Sequence, residues 1–221
     1  KGLDRIDQTT GLINKRYVFS SHASGASLSG KIIGSITEDN EECLWITYLD
    51  AFPDRINLKT LSVSPFVDDF KALKNAPKAC RDSYGNICFV TTGMGLVQYS
   101  PGSKRISYHT ESASSAVVSQ DAYTNLYSIC VDNSNNVWIG NEGGGLRRYN
   151  PSNDSFTNFG HTEGDKESLI SDYVRVLFCD NQGTLWVGTN AGLSKYNKVL
   201  SSFDHFTIQD GLPGNVIQSI A

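Results

Sequence analysis

The side chains that most often carry catalysis or bind metal ions are spread thinly along this chain of 221 residues. Its four histidines show no metal-ligand spacing and are scattered over loops and outer strands of the predicted repeats: His22, His109, His161 and His205. No serine nucleophile elbow, no P-loop and no dinucleotide-binding glycine motif after a strand is present. The run Gly143-Gly144-Gly145 lies where neighbouring repeats also carry glycine, which indicates a loop. We therefore expect no catalytic residue, no metal site and no cofactor.

The five cysteines also lack a reactive pattern. They are an odd number without a C-x-x-C pair, and each lies in or beside an apolar run: Cys43, Cys80, Cys88, Cys130 and Cys179. Such residues usually behave as small buried hydrophobic side chains. We expect core residues here, and neither a disulfide framework nor a zinc site.

One pattern organises the chain: two short apolar runs joined by a polar turn. Val174, Val176 and Phe178 alternate as in a half-buried strand, and the turn 180–183 leads to a second apolar run around Trp186. Gly192-Leu193 then begins a third run, and Phe203 marks a fourth. This succession predicts a four-stranded antiparallel meander.

The first hairpin of this meander occurs four times with the same spacing. Six residues separate its turn aspartate from the second-strand position in Asp39 to Trp45, Asp82 to Cys88, Asp132 to Trp138 and Asp180 to Trp186. The second-strand positions follow one another at 43, 50 and 48 residues. That period, with four strands in each unit, is typical of a β-propeller blade. The tryptophans recur at one blade position, so we expect them in the core between blades.

The predicted fold class is therefore all-β, a partial β-propeller of four-stranded antiparallel blades spanning residues 1–221. Residues 1–29 would form the outer strands of a partial blade, and residues 211–221 the inner strand of a following one. Four blades lie between them, at residues 30–75, 76–120, 121–168 and 169–210. The second of these six units is irregular, with a third strand expected around Ile56 to Leu61. Residues 68–78 and 111–125 are expected to be long connections.

Composition excludes several classes of partner. The net charge of −4, without a basic cluster, argues against nucleic acid and against an anionic membrane surface. No apolar run approaches the roughly 18 residues that a membrane span requires. No signal peptide is present, and the first residues resemble the middle of a repeat, so we expect the natural N-terminus to lie upstream.

Two stretches carry a family resemblance. Asn136 to Phe159 (NVWIGNEGGGLRRYNPSNDSFTNF) and Thr184 to Asn197 (TLWVGTNAGLSKYN) resemble two-component regulator propeller repeats. Ser168-Leu169 and the junction 211–215 also fit that pattern. The resemblance is strongest over residues 126–221; it weakens over 45–80 and at Cys88, where the repeat would have tryptophan.

The resemblance implies the periplasmic sensor region of a hybrid two-component system. Such proteins continue into a membrane helix, a histidine kinase and a response regulator, and they sense oligosaccharides to control glycan-utilisation genes. By this resemblance the chain would be a non-enzymatic sensor portion with an oligosaccharide ligand. Any contact with a membrane would come only through segments outside it.

A ligand site is expected on the loops that join second and third strands. Sugar sites combine an aromatic face with planar polar side chains, and these loops offer Tyr48, Asp54, Arg55, Asn141, Glu142 and Asn190. The alternative for each is an ordinary solvated turn.

Two other functions remain open on the sequence. A propeller lyase or glycosidase needs a positioned acid and base, and no convergent pair is evident. An interaction scaffold would instead pair the propeller with protein. The incomplete arc would also leave two blade faces exposed, so we expect two copies to associate as a homodimer.

Overall fold

The chain is described by a computed structural model that covers residues 2–20, 27–66, 73, 76–91, 95–109 and 126–220, with only the backbone of 126 and 127. Strands dominate these residues, and one 3-10 turn follows the last strand, at Ile208–Asp210. The strands form five separate sheets in chain order, which we call blades 1 to 5. The predicted all-β propeller fold is confirmed.

Blade 1 contains three strands, β1 (Gly2–Ile6), β2 (Ile13–Phe19) and β3 (Ser27–Leu28). β1 and β2 are antiparallel, whereas β3 runs parallel to β2. Blade 2 contains β4 (Ile33–Glu38), β5 (Cys43–Tyr48), β6 (Asp54–Asn57) and β7 (Val63–Pro65).

Blades 3 to 5 are regular meanders in which each strand pairs with the next one along the chain. Blade 3 contains β8 (Lys78–Arg81), β9 (Ile87–Thr91), β10 (Gly95–Ser100) and β11 (Arg105–His109). Blade 4 contains β12 (Leu126–Val131), β13 (Val137–Asn141), β14 (Leu146–Asn150) and β15 (Ser155–Phe159). Blade 5 contains β16 (Val174–Cys179), β17 (Leu185–Thr189), β18 (Leu193–Asn197) and β19 (Ser202–Phe206).

The constant six-residue spacing has a simple physical cause. In blade 2, Asp39 Oδ1 accepts hydrogen bonds from the backbone N–H groups of Glu41 and Cys43, which closes the turn. Its Oδ2 accepts the indole N–H of Trp45 at 2.8 Å. The same indole bond joins Trp138 to Asp132 and Trp186 to Asp180. In blade 3, where cysteine replaces tryptophan, Asp82 Oδ2 instead accepts from Asn86 and Gln98.

The blades pack face to face through these tryptophans. Trp45 is fully buried against Phe89 and Tyr99 of blade 3, with ring centroids 5.6 and 5.3 Å away. Trp138 likewise meets Tyr196 of blade 5 at 5.0 Å. Blades 2 and 4 thus each bury one face under the following blade, as the recurrence of tryptophan predicted for these two positions.

Two local expectations differ from the structure. The predicted alternation of Val174, Val176 and Phe178 fails because the register of β16 shifts between Val174 and Val176, so that Val174 and Leu177 are the buried residues. In blade 2 the third strand covers 54–57 rather than 56–61. Asn57 ends it early, since its side chain accepts hydrogen bonds from the N–H groups of residues 59 and 60 and holds a turn.

The long connections predicted at 68–78 and 111–125 lie largely or wholly outside the described residues. Residues 211–220, predicted as the inner strand of a following blade, form no strand. Ile217 nevertheless donates its N–H to Thr189 O and lies against Gly188, just as Val174 of blade 5 lies against Gly140 of blade 4. The assignment of this segment to a further blade stays a prediction.

Candidate functional site

The loops that join second and third strands lie at one end of the blades, because the meanders share one strand order and connect in the same way. The site residues predicted from the sequence belong to three of these loops and to the strand ends beside them. Their side chains, however, lie in three separate places: inside blade 2, at the opposite end of blade 2, and around Tyr173.

Tyr48 and Asp54 form a buried pair inside blade 2. The Tyr48 hydroxyl donates to Asp54 Oδ2 at 2.7 Å, and both side chains are fully buried. Asp54 also accepts the backbone N–H of Ser29 at 2.7 Å and its hydroxyl at 2.6 Å. Burial, and then the hydrogen bond to Asp54, raises the pKa of Tyr48 far above its ordinary value. The pair fastens residues 27–29 to blade 2.

Arg55 extends toward the opposite end of blade 2. Its guanidinium pairs with Asp39 at 3.1 Å and with Glu41 at 2.6 Å, both at the turn between β4 and β5. It also lies over the Trp45 ring, 5.7 Å from the centroid. Arg148 and Lys195 occupy the same place over Trp138 and Trp186. Arg55 is thus one of a repeated set of cations that cover the blade tryptophans.

Glu142 and Asn190 come together around Tyr173, the residue before β16. Glu142 forms an isolated antiparallel bridge with Tyr173, and the Asn190 N–H donates to Tyr173 O at 3.3 Å. Asn190 Oδ1 also accepts the Ser171 hydroxyl at 2.7 Å. Asn141 is adjacent but almost completely buried. The structure therefore brings the predicted residues of blades 4 and 5 together. The predicted residues of blade 2 do not join them.

Tyr173 is the residue that the sequence did not place in the site. Its side chain is 48% exposed, and its ring lies alongside Gly143. The backbone around it is held, since Asp172 O accepts the N–H groups of both Gly143 and Gly145. We name the surface formed by Glu142, Gly143, Gly144, Tyr173 and Asn190 the Tyr173 surface. The signal available in the sequence was an aromatic residue between Asp172 and the first buried valine of the strand.

The three histidines among the described residues, which exclude His22, have different partners. His109 contacts Asp154 and Tyr149, His161 contacts the Leu169 carbonyl, and His205 contacts Ser194. No three His, Cys, Asp or Glu side chains of the described chain are placed to hold a metal ion. No helix in the same residues is long and apolar enough to cross a bilayer.

Five sheets of this kind, packed face to face in chain order, define the class of the molecule as a β-propeller. Residues 168–191 match the family model described as two component regulator propeller. This match covers the connection into blade 5 and its first two strands. The resemblance to two-component regulator propeller repeats is confirmed over these residues. No curated protein matches the chain in sequence.

Solved structures share the fold. A protein described as the extracellular domain of a hybrid two-component system of Bacteroides thetaiotaomicron is 20% identical with a TM-score of 0.65, over 90% of this chain and 25% of that one. An auxiliary nutrient binding protein of Bacteroides ovatus is 9% identical with a TM-score of 0.61, over 92% and 47%. Virginiamycin B lyase of Staphylococcus aureus is 14% identical with a TM-score of 0.56, over 80% and 54%.

The chain spans about a quarter of the length of the Bacteroides thetaiotaomicron domain. At these identities the likeness establishes the fold. Since that likeness bears on the fold alone, the expectation that the given part of the chain is not an enzyme stays a prediction.

Proposed function

We propose that this chain is part of the ligand-recognition region of a two-component sensor and that it binds an oligosaccharide at the Tyr173 surface. The observation that carries the proposal is an exposed tyrosine side chain whose backbone is bonded to two loops, at Glu142 and at Asn190. An aromatic face with a few convergent polar groups is the usual composition of a site for a polar, ring-shaped ligand. Of the six residues predicted from the sequence, these two are proposed as direct contacts.

Signalling would follow from the position of this surface. It joins the loop 142–145 of blade 4 to Tyr173 and Asn190 of blade 5, so a ligand there contacts two blades at once. A ligand shifts a conformational equilibrium only by binding one state more tightly than another. We propose that the oligosaccharide favours one relative placement of these blades, that the full protein is periplasmic in this region, and that it controls glycan-utilisation genes.

Tyr173→Ala is expected to weaken oligosaccharide binding at least about tenfold, since it removes the stacking face. The measurement is a thermal-shift screen of an oligosaccharide panel, followed by calorimetric titration of each hit. Tyr84→Ala is the matched control, because Tyr84 is also exposed but lies in the turn between β8 and β9. Undiminished affinity in Tyr173→Ala would refute this site, and turnover of the glycan would favour the lyase or glycosidase alternative.

Self-association is the remaining part of the proposal. Trp186 lies on the face of blade 5 that corresponds to the covered face of blade 4, and it is only partly buried, with Phe206 and Lys195 against its ring. We propose that a second copy covers this face in a homodimer. Light scattering that gives a monodisperse monomer would contradict it.

A further inference from the structure

Two cysteines from different blades are in contact. Cys130 lies near the end of β12 and Cys179 ends β16, the first strands of blades 4 and 5. Their Sγ atoms are 2.9 Å apart, although 49 residues separate them in the sequence. The thiol contacts to nitrogen elsewhere are much longer, 3.8 Å for Cys43 with Asn57 and 3.9 Å for Cys88 with Gln98.

The strands that carry this pair are held in a fixed relation. Leu177 of β16 donates its backbone N–H to the Ser128 hydroxyl of β12 at 2.9 Å. Both cysteines pack against the core shared by Trp138, Leu177 and Leu185. The sulfur atoms are therefore brought together by the packing of two blades, and not by chance exposure on flexible loops.

The surroundings disfavour ionisation of the Cys130 thiol once the protein is folded. The hydrogen bond to the Cys179 thiol, together with burial, raises the pKa of the Cys130 thiol well above its ordinary value. A thiol with a raised pKa supplies little thiolate, the species that attacks a disulfide. Oxidation of this pair should consequently take place while the blades assemble, when the thiols are still accessible to an oxidant.

We propose that Cys130 and Cys179 form a disulfide bond between blades 4 and 5. The oxidant is a disulfide, either that of an oxidised thiol–disulfide oxidoreductase or a small-molecule disulfide. A Cys130 or Cys179 thiolate attacks it to give a mixed disulfide, and the second cysteine displaces the leaving thiol. The new S–S bond forms as both cysteine protons are lost, and the oxidant is reduced to two thiols. A periplasmic location, itself part of the proposed function, would supply such oxidants.

The bond would have a functional consequence. It would close the chain between residues 130 and 179, a segment that includes the Glu142 loop and Tyr173. Both halves of the Tyr173 surface would then belong to one crosslinked unit, which would limit the relative motion of blades 4 and 5. The other sulfur pair, Cys80 directly opposite Cys88 in blade 3, lies within one sheet and would crosslink no blades.

The test is refolding of the chain with oxidised and reduced glutathione, followed by denaturation, alkylation and mass spectrometry of the whole chain and its peptides. We expect a product lighter by two hydrogen atoms, a peptide joining Cys130 to Cys179, and three alkylated cysteines. Its Tm should exceed that of the reduced protein by roughly 5 to 10 °C. Cys80→Ala should keep the crosslink and the Tm difference, whereas Cys130→Ala should lose both.

Other outcomes would overturn the proposal. Five alkylated cysteines after oxidative refolding would show that the pair stays reduced. A peptide joining Cys80 to Cys88 in place of the expected one would assign the bond to blade 3. A Tm difference that persists in Cys130→Ala would show that oxidation stabilises the protein elsewhere. None of these readouts depends on ligand binding, so the disulfide and the proposed oligosaccharide site can fail separately.

Discussion

Trp45→Ala is expected to lower the free energy of unfolding by about 3 to 5 kcal/mol, the usual cost of emptying a fully buried tryptophan site. The ring is completely buried and contacts Phe66, Phe89 and Tyr99 at centroid distances of 4.8, 5.6 and 5.3 Å. Its loss also removes the indole donor from the buried Asp39. Urea denaturation followed by circular dichroism measures the effect without relying on tryptophan fluorescence.

The same substitution in blade 5 provides a matched control. Trp186 bonds to Asp180 as Trp45 bonds to Asp39, at 3.1 Å, but it is only partly buried, and its one aromatic neighbour in the described part of the chain is Phe206, at 5.9 Å. Trp186→Ala should therefore cost only about 1 to 2 kcal/mol. Equal losses for the two variants would mean that the turn hydrogen bond, and not burial between blades, governs stability at this position.

Those features of the fold that depend on local contacts could be predicted from the sequence. In three of the four hairpins the aspartate and the tryptophan are six residues apart and bond to each other, so their spacing is preserved when the turn residues vary. A hydrogen bond between the turn and the second strand therefore appears in the sequence as a constant spacing of these two residues. The position of the first hairpin in these units and the role of Trp45 and Trp138 follow from it.

Side-chain direction was much harder to predict. Asp54 and Arg55 are consecutive residues of β6, and consecutive residues of a strand point to opposite faces. Accordingly, Asp54 is buried beside Tyr48, whereas Arg55 forms an ion pair with Asp39. A loop position that is evident in the sequence thus does not reveal which side chains converge there.

Contacts between blades, by contrast, produce no constant residue spacing in the sequence. The meeting of Cys130 with Cys179, and of Glu142 and Asn190 with Tyr173, depends on how one sheet is placed against the next. That placement is set by the packing of many apolar side chains together. The candidate site was therefore predictable as a set of loops, while its central residue, Tyr173, required the structure.

Asp54→Ala is expected to lower the free energy of unfolding by about 3 to 5 kcal/mol, because removing one partner of a buried, charge-assisted network leaves the others unsatisfied. The carboxylate accepts three hydrogen bonds, from the Tyr48 hydroxyl and from the N–H and hydroxyl of Ser29. Tyr48→Phe removes only one of these donors and leaves the bonds to Ser29, so about 1 to 2 kcal/mol should be lost. Urea denaturation compares the two, and hydrogen exchange at Ser29 should accelerate mainly in Asp54→Ala.

The same pair of variants decides whether Asp54 acts in structure or in ligand binding. A structural carboxylate predicts a large loss of stability in Asp54→Ala, while oligosaccharide affinity, measured where the variant is still folded, stays close to that of the unaltered chain. A ligand contact predicts the reverse, a large loss of affinity with stability little changed. Because Asp54 is fully buried and bonded to two residues of its own chain, we expect the first result. The second result would mean that the loop of blade 2 belongs to the ligand site and that the contacts proposed around Tyr173 are wrong.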